Sequence, residues 1–197
     1  MMPKLRIAMV ALIGAFALPL PAPAEPPTAS AEHVEFSEPL SLPEFTFSYP
    51  SNWTVVKAAA NLDKYWQALI LGPRHAESHF PLMFIVRRMP VAAPKNLESL
   101  LAERERQRQA TRAENIVQSS LPVAGLNATR TDYTAMRSLP ADSPNPKPTE
   151  VHVSEVAFEI GHVVFEVTLQ SDARDAAAGG SVFDQFLASL KRTPQAP

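Results

Sequence analysis

The chain has no cysteine among its 197 residues. This excludes disulfides, thiolate metal sites, a cysteine nucleophile and the acylated cysteine of lipoprotein processing. Glycine is scarce, with six in all, and tight ligand-cradling loops need more. There is no phosphate-binding Gly loop, Gly-x-Ser-x-Gly elbow, His-Glu-x-x-His pair or calcium loop. Positive charge is not in excess: 18 Lys and Arg stand against 20 Asp and Glu. Nucleic acid is therefore not an expected partner. No apolar run reaches the about 20 residues that a membrane-crossing helix needs.

What is present begins with the first 24 residues. Lys4 and Arg6 form a basic head, and Ile7 to Leu18 is an apolar run of twelve residues. Pro19, Pro21 and Pro23 break it, and Ala22-Pro23-Ala24 offers small residues where a signal peptidase reads. This pattern predicts a cleavable secretory signal over residues 1–24, with no stable membrane anchor after cleavage. Removing the two basic residues of the head leaves 16 Lys and Arg against 20 Asp and Glu, a net charge of −4. A secreted eukaryotic domain of this size would usually carry disulfides. An Ala-rich signal without cysteine points to a bacterial periplasmic protein.

Residues 25–43 are proline-rich and poor in apolar residues, and predict a tether. From Glu44 the pattern becomes period two. Strands are expected at residues 45–49, 53–57, 65–71 and 81–88. Asn96 is the expected N-cap of a helix reaching about Glu114, with Glu98 in its first turn and Leu97, Leu100 and Leu101 as its docking face. Strands follow at 116–121 and 126–136. The proline-dense segment from Pro140 to Pro148 predicts an irregular loop. A hairpin of 151–160 and 163–170 turns at Gly161-His162. A short helical turn after Ser171 or Asp172 is expected to break at Gly179-Gly180. Ser181 then caps a last helix with Val182, Phe183, Phe186, Leu187 and Leu190 at core spacing. The whole predicts one α+β domain over 44–193, an antiparallel sheet of six to eight strands flanked by helices.

Four segments carry a family likeness: the opening FTFSYPSNW at Phe45 to Trp53, the helix NLESLLAERERQRQ, the small-residue turn in LPVAGLNATR at Leu121 to Arg130, and the closing SVFDQFLASLKR. In this order they resemble the PsbP/Mog-like superfamily, which includes bacterial DcrB-like periplasmic proteins. The resemblance implies an α/β/α sandwich and a leaning toward protein binding. It brings no catalytic residue, since the family shares none.

Four residue sets are candidates for function. Arg104, Arg108 and Arg112 recur at i, i+4 and i+8 and could form a basic stripe that grips an acidic partner. On that reading their replacement by Glu abolishes partner capture without unfolding the domain. The Pro140–Pro148 loop is the second expected contact. His75, Glu77 and His79 fall on one face of an extended segment, a plausible zinc or copper set. Phe158, Val164 and Phe165, with Trp53 and Trp66, could line an apolar cavity. The functional expectation is a non-catalytic periplasmic protein-binding module without a cofactor, either an accessory subunit of an envelope complex or an immunity-type protein. The alternative is a carrier of a lipid-like ligand or a transition metal.

Overall fold

The computed structural model describes residues 34–37, 39–57, 66–74, 81–90, 96–139 and 144–193. These form β1 (Leu40–Ser41), β2 (Phe45–Phe47), β3 (Thr54–Lys57), β4 (Trp66–Leu71), β5 (Met83–Pro90), α1 (Leu97–Ala110), β6 (Glu114–Val123), β7 (Leu126–Leu139), β8 (Lys147–Ile160) and β9 (Val163–Asp172). A 3-10 turn (Ala173–Asp175), α2 (Ala176–Ser189) and β10 (Lys191–Arg192) complete the described elements.

Seven strands make one antiparallel sheet in the order β3-β4-β5-β9-β8-β7-β6. The fold is α+β, as the pattern of hairpins implied. The centre is β8 and β9, which pair from Val151↔Asp172 to Ile160↔Val163. Both faces of this pair are covered, so hydrophobic residues alternate with buried polar ones instead of with solvated ones.

One face carries α2 and the small sheet β1-β2-β10. Here Phe84, Phe158, Phe165, Phe183 and Phe186 are fully buried, and Phe84 packs against Phe183 and Phe186 with ring centroids 5.4 and 5.0 Å apart. The Phe45 to Tyr49 segment, expected as a half-buried strand, contributes β2 to the small sheet. Phe45 packs edge-on against Phe165 at 4.8 Å, and Phe47 against Phe186 at 5.2 Å, so both rings are buried. The other face carries α1, where Leu100 packs with Ala157 and Val164. Val164 therefore lies across the sheet from Phe158 and Phe165, and the three cannot line one cavity.

The structure differs from the sequence expectation at several places, among them the end of α1, which stops at Ala110 so that Glu114 already belongs to β6. The second half of the expected tether belongs to the domain: β1 pairs with β2, Phe36 bridges to Pro50, and Phe36, Leu40 and Leu42 pack on the core. Spaced apolar residues suffice there because the main sheet already supplies the apolar surface. Gly179-Gly180 does not break a helix, for α2 runs through both. A Cβ on Gly179 would stand 2.7 Å from Leu82 Cδ2, so glycine permits close approach of helix to sheet. Finally, β8 begins inside the proline-rich segment, at Lys147. Residues 147–150 pair with β7 alone, and at such a half-paired end the missing N–H of Pro148 costs little.

Candidate functional surface

The helix α1 begins with a capping box. Asn96 Oδ1 accepts the Ser99 N–H, and Ser99 Oγ accepts the Asn96 N–H, each at 2.9 Å. This sets the helix phase, and the phase decides where the arginines go. Arg104 and Arg108 follow Leu100 at four-residue steps, so they extend the docking face. The stripe expected to face solvent is at these two positions the inner face of α1. Arg108 is 5% exposed and Arg104 half-buried. Arg112 lies past the helix end at φ 52°, exposed and apart from them.

Under α1 the two arginines meet carboxylates raised from the sheet. Arg104 donates to both oxygens of Glu166, at 2.5 and 2.6 Å, and Arg87 of β5 donates to the same carboxylate at 2.8 Å. Arg108 donates to Glu155 at 2.8 Å, and the Tyr133 hydroxyl donates to the other Glu155 oxygen at 2.9 Å. Glu105 also accepts from Arg108, at 3.1 Å. The Arg108 guanidinium lies 5.7 Å from the Tyr133 ring centroid.

Two carboxylates in one buried cluster are pushed in opposite directions. Burial works to raise Glu166, but the hydrogen bonds and charges of Arg104 and Arg87 outweigh it and hold the carboxyl below its usual range. Burial raises Glu155, and the neighbouring Glu166 charge raises it further. The Tyr133 hydrogen bond, Arg108 and Arg104 oppose this without cancelling it. Burial and the Glu155 charge push the Tyr133 hydroxyl well above a free phenol. This network ties α1 to the sheet. Glutamates at positions 104 and 108 would set like charges against Glu166 and Glu155, so the triple Glu replacement is expected to unfold the domain. It is not a test of binding.

His75, Glu77 and His79 lie outside the described residues. No group of three or more His, Asp or Glu placed to hold a metal occurs among the described residues. His152 is half-buried, and burial lowers its pKa, with Asp132 opposing and Arg130 assisting. His162 is exposed in the β8–β9 turn.

The sequence reading missed a surface at the free end of the sheet. β6 is an edge strand, and Glu114 to Ser120 are exposed on both of its faces. Ile116 and Val117 are 41% and 60% exposed, and Met136 of β7 is 61% exposed. These are the exposed large hydrophobic residues among the described part of the chain. Residues 144–148 are exposed at the same end, because Leu139 pairs with Lys147 and Ser138 with Pro148. The available signal was the run Ile116-Val117-Gln118-Ser119-Ser120, which has apolar residues side by side and no inward-outward alternation.

No protein-family model matches this chain, and no curated protein matches it by sequence. Solved structures do. It is similar to cyanobacterial PsbP (CyanoP) from Synechocystis sp. PCC 6803, with a TM-score of 0.51 at 14% identity over 76% of this chain and 86% of that one. The fold is PsbP/Mog-like. The chain is also similar to LpqN, involved in cell envelope biogenesis of Mycobacterium tuberculosis, with a TM-score of 0.51 at 12% identity over 82% of this chain and 92% of that one. A third similar structure is PA94 from Pseudomonas aeruginosa, a protein of unknown function, with a TM-score of 0.50 at 14% identity over 82% and 99%. At such identities the likeness concerns the PsbP/Mog-like fold alone. No helix among the described residues is long and apolar enough to cross a membrane.

Proposed function

We propose that this PsbP/Mog-like domain is a non-catalytic, exported protein-binding module of the bacterial cell envelope. The reading rests on the apolar end of the sheet. Ile116 and Val117 of β6 and Met136 on the adjoining overhang of β7 are the exposed large apolar residues among the described part of the chain, beside the exposed end of the proline-rich segment. A soluble domain that leaves its large exposed apolar side chains at one end offers a contact surface. Arg104 and Arg108 of α1 are engaged internally, which moves the proposed contact from the helix to this end. Support for an envelope location comes from the N-terminal signal pattern and from LpqN, a protein of the same fold involved in envelope biogenesis. Both an accessory subunit of an envelope complex and an immunity-type protein use a surface of this kind.

Native mass spectrometry of the protein, purified gently from the periplasm of the cells that make it, tests this reading. The expected result is a chain that begins at residue 25 and carries the added mass of a different protein. A stoichiometric lipid or metal increment in its place would overturn it in favour of a ligand carrier, with His75, Glu77 and His79 the first residues to replace for metal. A chain that retains residues 1–24 would overturn the export reading.

A further inference from the structure

We infer that β6 pairs along its open edge with β6 of a second copy of this chain. The inference goes beyond the binding role proposed above: it adds self-association along the β6 edge and leaves the surface around Met136 for a different protein. The two edges of the main sheet are unlike. β3 is four residues long, and short edge strands are one way in which proteins prevent further pairing. β6 is ten residues long, and no described residue pairs with its outer side. The usual protections are charge, proline, a bulge and cover. A bulge lies between Glu114 and Val117, where Asn115 has φ 55°; beyond it the strand pairs regularly with β7, and from Val117 to Leu121 it has no charged residue and no proline, with Val117 to Ser120 exposed. Pro122 and the tight turn at Ala124-Gly125, with φ of 51° and 76°, end this stretch on the side away from the bulge.

The absence of charge also selects the occupant. Residues 115–129 carry neither acid nor base, so a charged strand from another protein finds no counter-charge there. A second β6 brings an equally neutral edge. In antiparallel pairing about a two-fold axis perpendicular to the sheet, facing residues keep the same side. Centred on Gln118, this sets Val117 of each copy opposite Ser119 of the other. Glu114 meets its own copy only in the register centred on itself, which forfeits most of the strand. Every longer overlap is free of like-charge contact. The product is a continuous sheet through two domains, with the surface around Met136 present twice.

Sedimentation velocity of the purified protein over a range of concentrations tests the inference. The expected result is a dimer that the double replacement Val117→Lys and Ser119→Lys converts to monomer. Both side chains are exposed, so the far-ultraviolet circular dichroism is expected to stay unchanged, and the melting temperature to fall only by the concentration-dependent share that dimerisation supplies. Gln118→Pro, which removes a backbone N–H without adding charge, serves as the second variant. A monomer at all concentrations, or a dimer that survives the lysine pair with its fold intact, would overturn the inference. A monomer that captures a different protein through β6 would also overturn it, while leaving the protein-binding reading in place.

Discussion

Replacing Glu166 by Gln is expected to lower the melting temperature by roughly 6–20 °C. Glu166 is 1% exposed and receives Arg104 and Arg87 at 2.5–2.8 Å. The variant keeps the shape but removes the charge, and the amide turns N–H donors toward guanidinium groups that need acceptors. Removing one partner of a buried ion pair costs about 3–5 kcal/mol. In a domain of this size each kcal/mol shifts the melting temperature by about 2–4 °C. The pH dependence is a second signature. The native Glu166 carboxyl sits below its ordinary value of 4.5, so its contribution is complete above that pH and is lost as acid protonates the native carboxylate. The variant lacks this part of the acid transition. Glu155→Gln is the control, because burial already disfavours its charge and raises its pKa. Its cost is expected to be well below that of Glu166→Gln. Equal melting temperatures for wild type and Glu166→Gln, checked by circular dichroism from pH 3 to 7.5, would show that the network does not hold α1 to the sheet.

Phe84→Ala is expected to destabilise by about 3–5 kcal/mol, as truncation of a fully buried phenylalanine does. Phe84 lies where three parts of the fold converge. Its ring centroid is 4.7 Å from that of Trp53, which precedes β3, and it touches both Phe183 and Phe186 of α2. The space it leaves cannot close easily. Trp53 is held by Gly72, where an added Cβ would stand 2.6 Å from the indole ring. The phenylalanines of α2 are fixed by the close approach of the helix at Gly179. Phe84→Leu is expected to cost markedly less, since it retains most of the volume. Urea titrations of both variants measure the difference. A cost for the alanine variant below about 1 kcal/mol would mean that this cluster is loosely packed and that α2 is held elsewhere.

Much of this architecture was readable in the chain. Alternation at Val151 to Ile160, the Gly161-His162 turn and the cap at Asn96 each act through neighbours in sequence, and local rules describe them. The inward arginines were legible in part. Leu100, Arg104 and Arg108 share one helical face by spacing alone, so the docking leucines already placed the guanidiniums inside. Their acceptors were not legible, because Glu155 and Glu166 come under α1 only through strand order. The same limit applies to β6. Residues 116–121 read as a strand, but nothing in them says that the strand is an edge, since that depends on every other pairing in the sheet. Gly179-Gly180 misled because a pair of glycines signals a break locally and a close approach globally. Phe36, Leu40 and Leu42 gained meaning only from a core formed by distant strands.

The decisive comparison is between two positions on opposite sides of the sheet. A photo-cross-linking residue placed at Met136, in protein produced in its own cells, samples the exposed end of β7. The same residue at Ala102, exposed on the outer face of α1, samples the helix first expected to bind. The expected result is a covalent adduct from Met136 with a different protein and none from Ala102. Adducts from Ala102 alone, or none from Met136, would contradict the assignment of the binding surface to the free end of the sheet.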